Sequence, residues 1–357
     1  MDVWQTGARS SHRPDAVATY VTAKEDAWMS DNDAIGSGVV KKDAPTFYFV
    51  GVSTSHSSIM KVFPRWADAL GHPEVAIEGV DHKLHDNPEA YRQTVAQIKY
   101  DPLSLGALVT SHKVSVYEAA GDMFDYLDSS TLTTGEISCI SKQDGLLEGR
   151  AKDPLTAGMS LDAVLGRDYF ARSGGHVLNF GAGGSGVAIA IHLINKEEPG
   201  DRPARFIMVN RSERRLAKLH RIVDESQTDI EFEYVCNEDP MRNDGIMGDL
   251  PPGSVVINAT GMGKDLPGSP VTDAGRFPSD GIAWEVNYRG ELRFWHQAIA
   301  QRESRNLTVE DGWLYFLYGW TEHISEVLHI TMTNEVFGQL DRIAEGLRPP
   351  LVSKSVT

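Results

Sequence analysis

Apolar segments of strand length alternate with segments of helical spacing along most of the chain. A β-rich apolar run at 46–52 is followed by a helical pattern at 59–70, a strand at 75–80, a helix at 90–99 and a strand at 105–110. Strands that alternate with helices are typical of an α/β domain, because a helix supplies the crossover that parallel strands need. The first half of the chain therefore predicts an α/β domain with a parallel sheet.

A second alternation begins after the glycine pair at 174–175, and a helical pattern closes the chain at 311–347. That last segment predicts two helices, which we expect to return to the first domain. Residues 1–45 are polar and lack a sustained apolar period, so they predict an extension that is partly disordered or lies over the surface. The strands predicted in the second half are 176–180, 205–210, 231–235, 254–258 and 282–287.

The most specific motif is a glycine-rich run in the second half. It follows the apolar strand pattern at 177–180 and opens into an apolar helical pattern at 187–194. A strand, a glycine turn and a helix in this order are typical of a dinucleotide site, where free N–H groups at the helix start bind the pyrophosphate. The residues predicted to bind it are Gly181, which allows the turn, Gly183, which permits close approach, Gly184, Ser185 and Gly186, which lets the helix pack on the strand.

The end of the next strand indicates which dinucleotide binds. An NAD site usually places a carboxylate there for the ribose 2′-hydroxyl, whereas this chain has Asn210 and Arg211, with Arg215 one helical turn later. Guanidinium groups hold a 2′-phosphate with paired hydrogen bonds, so we predict NADP. The alternative is that the arginines form only a solvated helix start. Thr260 and Met262, in the turn after the fourth strand, are also predicted to bind the cofactor, because ligands bind at that edge of the sheet.

Composition and charge exclude several classes of protein. Of the 357 residues, 41% are hydrophobic and 24% charged, as in ordinary globular proteins. The formal net charge of −16 argues against nucleic-acid binding. No apolar run reaches the roughly 20 residues that cross a membrane, and no secretory signal is recognisable. Cys139 and Cys236 form no metal-ligand pattern, and we expect a reducing, cytoplasmic setting without a bound metal.

Several motifs, taken in order, resemble those of the shikimate/quinate dehydrogenase family over residues 46–330. The family's Gly-x-Pro-x-x-His-Ser-x-Ser-Pro loop resembles residues 51–60, and its Asn-Val-Thr-x-Pro-x-Lys turn resembles 108–113 with one residue missing. Its Asn-Thr-Asp motif resembles 149–153. The glycine turn and the segments 210–212, 258–260, 286–290 and 311–312 also fall at the family's places.

The resemblance implies an NADP-dependent oxidoreductase that interconverts a ring hydroxyl and a ketone of shikimate or a shikimate-like carbocycle. It implies that Lys113 and Asp153 form the catalytic pair, in which the lysine transfers the hydroxyl proton and the aspartate orients both groups. Taken alone, Lys113 fits a surface lysine and Asp153 a turn or helix-cap residue. The resemblance further implies that the substrate is bound by Ser57, Thr110, Ser138 and Tyr288.

The departures from the family pattern lie on the substrate side. Ile59 stands where the family has a second serine, Ser138 where it has an asparagine, and Gly319 where it has a glutamine. Lys152 either supplies a charge to an acidic ligand group or points to solvent. Trp320, next to Gly319, either lines an aromatic wall or packs within the helix. These changes leave two alternatives, a dehydrogenase of a different cyclitol or aminated ring in a specialised pathway, and a non-catalytic ligand sensor.

These observations together predict a two-domain α/β fold with a cleft between the domains. The substrate domain is 46–160, completed by 311–347, and the doubly wound Rossmann-type NADP domain is 161–310, with a tail at 348–357. His56 and His112 lie in predicted substrate-domain loops, as ligand contacts or as local hydrogen-bond partners. The expected partner is a small carbocyclic substrate, with no nucleic acid and no membrane, and a homodimer is left open.

Overall fold

A computed structural model describes residues 38–264 and 266–351. Most of the predicted extension (residues 1–37) and the end of the predicted tail (residues 352–357) lie outside the described residues. Contacts between residues divide the chain into two units. Unit 1 runs to Lys152 and resumes with Trp320–Arg348, and unit 2 contains the chain from Asp153 to Gly319.

Unit 1 contains a six-stranded mixed sheet with the strand order β2-β1-β3-β5-β6-β4. Strand β1 pairs in parallel with both β2 and β3, which is the arrangement that the alternating pattern predicts. The elements are β1 (Thr46–Gly51), α1 (Ile59–Ala69), β2 (Ala76–Asp81), α2 (Pro88–Tyr100), β3 (Ser104–Val109), α3 (Lys113–Ala120), β4 (Tyr126–Leu127), α4 (Ser129–Thr134), β5 (Cys139–Gln143) and β6 (Leu146–Arg150).

The prediction of a parallel sheet is wrong for the far side of this sheet. Strand β5 runs antiparallel to both β3 and β6. The cause is local, because Asp144 and Gly145 both have positive φ angles, 51° and 86°, and form the two-residue turn of a hairpin. An Asp-Gly pair between two apolar runs is a readable hairpin signal, so this feature was accessible from the sequence.

The core of unit 1 includes side chains from the end of the chain. The Trp320 ring lies 4.9 Å from the ring of Phe49 and 6.1 Å from that of Phe47, measured between centroids. The indole Nε1 of Trp66 donates a hydrogen bond of 2.8 Å to the carbonyl of Leu340. Of the two alternatives for Trp320, packing within the core is therefore the one observed.

Unit 2 contains a six-stranded sheet in which all neighbouring strands are parallel, in the order β12-β11-β10-β7-β8-β9. Numbered within the unit this order is 6-5-4-1-2-3, which is the Rossmann arrangement. The elements are α5 (Asp153–Leu165), α6 (Tyr169–Ser173), β7 (Val177–Phe180), α7 (Gly184–Ile194), β8 (Arg205–Asn210), α8 (Glu213–Ser226), β9 (Glu231–Cys236), α9 (Pro240–Gly248), β10 (Val255–Asn258), β11 (Ile282–Glu285), α10 (Arg293–Ile299), α11 (Arg302–Arg305) and β12 (Thr308–Glu310).

Alternate residues of the unit 2 strands enter two different hydrophobic clusters. Val177 and Ile257 belong to a cluster that includes residues of α5 and α7, whereas Leu178 and Val256 belong to a cluster with residues of α9 and α10. Because successive side chains of a strand point to opposite faces, helices cover both faces of this sheet. The predicted doubly wound α/β fold is confirmed.

The boundaries between the two units fall at different residues from the predicted domain limits of 160 and 311. Helix α5 packs against α7, and its Ala157 and Leu161 are fully or almost fully buried in the same cluster, so the division falls at 152/153. The predicted C-terminal helices are α12 (Trp313–Val327) and α13 (Asn334–Glu345). Residues of α12 up to Gly319 belong to unit 2, and those from Trp320 onward to unit 1.

Candidate active site

Two glycines of the glycine-rich run after β7, one in the turn and one in the first turn of α7, have no room for a side chain. Gly181 has a φ of 104°, and a Cβ there would lie 2.7 Å from the carbonyl oxygen of Ala259. A Cβ on Gly186 would lie 2.0 Å from the carbonyl oxygen of Gly181. At Gly183, in contrast, the nearest heavy atom to a Cβ would be Nη1 of Arg215, 4.0 Å away. The turn is thus closely packed on the protein side and open at Gly183, which fits a pyrophosphate that approaches the backbone there.

Helix α7 begins at Gly184, three residues earlier than the apolar pattern predicts, with Gly183 as its N-cap. Gly184, Ser185 and Gly186 therefore form the first helical turn, whose N–H groups have no partner within the helix and carry the positive end of the helix dipole. The hydroxyl of Tyr315 donates a hydrogen bond of 3.0 Å to Ser185 Oγ. This first turn offers the donors that a phosphate group requires.

The last residue of β8 and the residues just after it lie next to this turn. Asn210 accepts a hydrogen bond from the backbone N–H of Ala182 (3.2 Å) and donates one to the carbonyl of Ser212 (3.1 Å), so its side chain joins the glycine turn to the start of α8. Arg211 and Arg215 are exposed, and Arg215 is the side chain that faces the open position at Gly183. Cationic groups thus occupy the place where an NAD site has a carboxylate.

The turn after β10 packs against the glycine turn. The backbone N–H of Ala259 donates to the carbonyl of Phe180 (2.8 Å). Asn258 Oδ1 accepts from both the backbone N–H (3.1 Å) and the hydroxyl (2.6 Å) of Thr260, and the N–H of Met262 donates to Thr260 Oγ1 (3.1 Å). The structure therefore brings together all the predicted cofactor-binding residues at the carboxyl edge of the unit 2 sheet, where ligands of such sheets bind.

The sequence reasoning missed a buried acid at the same edge. Glu285, the last residue of β11, has no exposed surface, and burial raises the pKa of its carboxyl to about 8 despite hydrogen bonds from Asn287 and Asn258. Tyr288 lies three residues after Glu285 and is half-buried. Its ring centroid is 4.7 Å from that of Phe316 and 5.5 Å from that of Trp313. A charged residue at the end of an apolar strand is the signal that would have identified Glu285.

Three predicted substrate-side residues lie beyond the carboxyl ends of β1 and β3 in unit 1. Thr110 donates from both its backbone N–H (2.9 Å) and its hydroxyl (3.2 Å) to the carbonyl of Val50. Lys113 is the first residue of α3, and its backbone N–H donates to the carbonyl of Thr110 (3.2 Å). Ser57 ends a short 3₁₀ turn that follows β1. Because β1 and β3 are parallel neighbours, all three residues belong to one edge of the sheet.

His112, which precedes Lys113, is a local hydrogen-bond partner. Its side chain is almost fully buried, and Nε2 lies 3.2 Å from the carbonyl oxygen of Gly51, which can only accept. Nε2 therefore carries a proton, and Nδ1 lies 3.1 Å from the hydroxyl oxygen of Tyr91. Burial lowers the pKa of the imidazole, and the His82 ring beside it acts in the same direction. His56, in contrast, is exposed, with Nδ1 3.2 Å from Ser53 Oγ.

Ser138 and Ile59, two of the departures from the family pattern, are both inside unit 1. Ser138 is 1% exposed, and its hydroxyl accepts from the backbone N–H of Lys152 (2.8 Å) and donates to the carbonyl of Arg150 (3.4 Å). The one hydroxyl proton is therefore engaged within the protein, and a bond donated to a ligand would have to replace the bond to Arg150. Ile59 has no exposed surface and packs in the core at the start of α1.

Lys152 adopts neither of the two orientations proposed for it. Its Nζ lies 3.2 Å from a carboxylate oxygen of Glu322 and 2.8 Å from one of Glu326, and its side chain is 11% exposed. Burial alone would lower the pKa of Lys152, yet its charged surroundings, which include both glutamates, raise it above its ordinary value. The positive charge is therefore committed to an ion pair within unit 1, and Arg150 also pairs with Glu326 (2.9 Å).

The predicted catalytic partner of Lys113 lies in the other unit. Asp153 is the first residue of α5 and of unit 2, and it is 6% exposed. Among residues 38–264 and 266–351, no three His, Cys, Asp or Glu side chains gather as a metal site. Over the same ranges, no helix has both the length and the apolar character that crossing a bilayer demands.

The fold defines the class of α/β proteins that consist of two units, one of them with a Rossmann-type sheet. Shikimate 5-dehydrogenase from Listeria monocytogenes, solved with shikimate and NAD, matches with a TM-score of 0.64 and 18% identity, over 88% of this chain and 99% of that one. The enzyme from Thermus thermophilus, solved with NADP(H) and shikimate, matches with a TM-score of 0.61 and 19% identity, over 85% and 99%. The resemblance to shikimate dehydrogenases is thus confirmed for the fold.

The same fold occurs in an enzyme whose name specifies a different substrate. The 5-ketofructose reductase of a Gluconobacter species matches with a TM-score of 0.61 and 19% identity, over 84% of this chain and 99% of that one. No protein-family profile matches the chain. No curated protein matches it by sequence.

Because the charge of Lys152 belongs to a buried ion pair, we expect its removal to destabilise the folded chain strongly. In Lys152→Met the side chain keeps its length, but Glu322 loses its partner in a buried setting, so we expect the free energy of unfolding to fall by about 3–5 kcal/mol. Denaturant titration measures this. The control is Lys42→Met, which breaks the more exposed pair with Glu78 and is expected to cost less than about 1 kcal/mol. Equal costs for the two variants would contradict the burial argument.

The buried His112 predicts a pH-dependent loss of stability. Because its pKa is below the ordinary 6.5 in the folded chain, the folded state binds fewer protons than the unfolded state, and stability is lost as the pH falls below about 6.5. We expect the unfolding free energy of the wild type to decrease more between pH 7.5 and pH 5.5 than that of His112→Phe. His56→Phe, in an exposed loop, is the control. Parallel pH profiles for wild type and His112→Phe would show that His112 does not contribute.

Proposed function

We propose that the protein is an NADP-dependent oxidoreductase that interconverts a hydroxyl and a ketone on shikimate or a shikimate-like carbocycle. The observation that carries the proposal is the turn after β7, which is closed to side chains at Gly181 and Gly186 but open at Gly183, next to exposed arginines. The Listeria and Thermus enzymes of this fold were solved with shikimate and a nicotinamide dinucleotide, which supports the same chemistry here.

The cofactor would be held by three groups of residues in unit 2. Backbone N–H groups at the start of α7 bind the pyrophosphate, and the residues after β8 bind the 2′-phosphate by charge-assisted hydrogen bonds. When bound, the nicotinamide accepts or donates the hydride of the reaction. The residues assigned to these contacts are Gly181, Gly183, Gly184, Ser185 and Gly186 for the pyrophosphate, Asn210, Arg211 and Arg215 for the 2′-phosphate, and Thr260 and Met262 for the adjoining wall.

Lys113 and Asp153 are assigned to the proton transfer. Oxidation of a secondary alcohol removes a proton from the oxygen, and a neutral lysine amine within hydrogen-bond reach accepts it; in reduction the ammonium returns it. Asp153 is assigned the role that the family resemblance implies, which is to orient the reacting hydroxyl and the lysine. Ser57, Thr110, Ser138 and Tyr288 are the residues assigned to position the ring.

A second candidate is a dehydrogenase of a different carbocycle or polyol. Ser138 has its hydroxyl engaged in bonds within unit 1, and Ile59 packs in the core, so two positions at which the family places polar groups offer fewer free donors. Ligand discrimination depends on such donors, because a buried donor without a partner costs affinity. The ketofructose reductase of this fold supports a wider substrate range.

We also propose a cytoplasmic location for the enzyme. The two cysteines of the chain are both free thiols, Cys139 buried in β5 and Cys236 exposed at the end of β9. Free thiols suit a reducing compartment.

Replacement of Lys113 tests the catalytic assignment. Lys113→Met removes the proton-transfer group, so we expect NADPH-linked turnover of the ring substrate to fall about 10²- to 10⁴-fold while the Kd for NADPH stays unchanged. Steady-state rates with shikimate, quinate and 3-dehydroshikimate, and fluorescence titration with NADPH, measure the two quantities. Lys61→Met, on the exposed side of α1, is the matched control. A wild type that binds both ligands but turns over none of them would favour a ligand sensor.

Replacement of the arginines after β8 tests the choice of cofactor. In the double variant Arg211→Ser, Arg215→Ser the 2′-phosphate loses its charge-assisted bonds, so we expect the Kd for NADPH to rise about 10- to 100-fold and the Kd for NADH to change little. Arg221→Ser, an exposed arginine farther along α8, is the control and is expected to leave both values unchanged. Equal weakening of NADH and NADPH would show that the arginines do not read the 2′-phosphate.

A further inference from the structure

The fully buried carboxylate of Glu285 accepts hydrogen bonds from two different loops. Oε2 accepts from Asn258 Nδ2 at 2.6 Å, at the end of β10. Oε1 accepts from both the backbone N–H (2.9 Å) and the side-chain Nδ2 (2.6 Å) of Asn287, in the segment after β11. Three donors thus converge on two oxygens, so these hydrogen bonds favour the ionised, acceptor-only carboxylate, whereas burial favours the neutral acid.

The orientation of Asn258 is fixed by what surrounds it. Its Oδ1 already accepts from the N–H and the hydroxyl of Thr260, so its amide nitrogen has to face Glu285. Asn287 Nδ2 also lies 3.0 Å from the carbonyl of Thr260, to which it donates. Glu285, Asn258, Thr260 and Asn287 therefore form a closed ring of hydrogen bonds.

This ring joins the loops that carry the assigned ligand contacts of unit 2. One loop contains Thr260 and Met262 and packs on the glycine turn through Ala259, whose carbonyl oxygen limits the space at Gly181. The other loop continues from Asn287 into Tyr288. A displacement of the carboxylate would release both loops at once, because each depends on it for at least one buried donor.

We propose that Glu285 is a positioning residue that sets the distance between the cofactor-side turn and Tyr288, and that the dinucleotide site depends on its acceptor-only character. The proposal rests on the dinucleotide site of the proposed function. A buried carboxylate costs desolvation free energy that an apolar side chain of similar size would avoid. Because the carboxylate of Glu285 closes the ring of hydrogen bonds, its charge helps to hold the two loops in place.

Exchanging the carboxylate at position 285 with the amide at position 258 tests the pattern of donors and acceptors. In Glu285→Gln an amide NH₂ faces Asn258 Nδ2, so two hydrogen-bond donors oppose each other. In Asn258→Asp the new carboxylate faces the carboxylate of Glu285, so two acceptors oppose each other. In the double variant, the new amide nitrogen at position 285 donates to the new carboxylate at position 258. The amide oxygen at position 285 then accepts from Asn287, and the other carboxylate oxygen accepts from Thr260. The bond between positions 258 and 285 is thereby restored with reversed polarity, and the ring closes again.

The affinity for NADPH, measured by fluorescence titration of the full chain, is the first readout. We expect each single variant to raise the Kd about 10-fold or more and the double variant to return to within about 3-fold of the wild type. In the single variants KM for the cofactor should rise more than kcat falls. A double variant as weak as the worse single variant, or single variants that bind as the wild type does, would overturn the proposal.

Hydrogen exchange separates this proposal from the proposed function. The amides of Thr260 and Met262 should exchange faster in Glu285→Gln and return to the wild-type rate in the double variant, whether or not any dinucleotide binds. Unchanged exchange would refute the positioning role, whereas changed exchange without NADPH binding would refute only the proposed function. If Glu285→Gln does not fold, Glu285→Asp keeps the charge on a shorter side chain, and its Met262 amide should also exchange faster than in the wild type. A wild-type rate there would count against the proposal.

Discussion

The unit 2 site depends on backbone contacts that are too close for any side chain. The carbonyl oxygen of Ala259 limits the space at Gly181, and the carbonyl oxygen of Gly181 limits it at Gly186. These two contacts hold the turn after β7 against the turn after β10 and bring the start of α7 to the carboxyl edge of the sheet. The half-buried start of α7, the adjacent exposed arginines and the buried Glu285 all lie at this edge.

Unit 1 uses its polar groups differently. Two side chains for which the sequence allowed a ligand contact, Ser138 and Lys152, are engaged in internal bonds through the hydroxyl and the ammonium. Buried polar groups require partners, and a partner within the protein competes with a ligand for the same atoms. The residues that keep partly exposed polar atoms at this sheet edge, such as Ser57, Thr110 and Lys113, therefore carry most of the proposed recognition.

The two edges differ in how they are stabilised. The unit 2 edge is held by backbone contacts and by a hydrogen-bond ring around a buried carboxylate. Next to Lys113, the unit 1 edge is held by the buried His112, whose ring lies between the carbonyl of Gly51 and the hydroxyl of Tyr91. In both cases a buried titratable group is hydrogen-bonded to a segment that leads into a loop with assigned ligand residues.

The sequence by itself determined the α/β class, most strand positions and the glycine turn, because hydrophobic periodicity and glycine patterns are local properties of the chain. The strand at 205–210 was placed to the residue, and α7 was found but begins at Gly184 rather than at Val187. Only the tertiary structure decided the partners of Lys152, Ser138 and Glu285 and the burial of Trp320. Each of these depends on residues far apart in the chain, Lys152 on Glu322 and Glu285 on Asn258. No local pattern encodes which distant side chain will pair with a buried charge or accept a hydrogen bond from a buried donor, because packing between elements decides the partner.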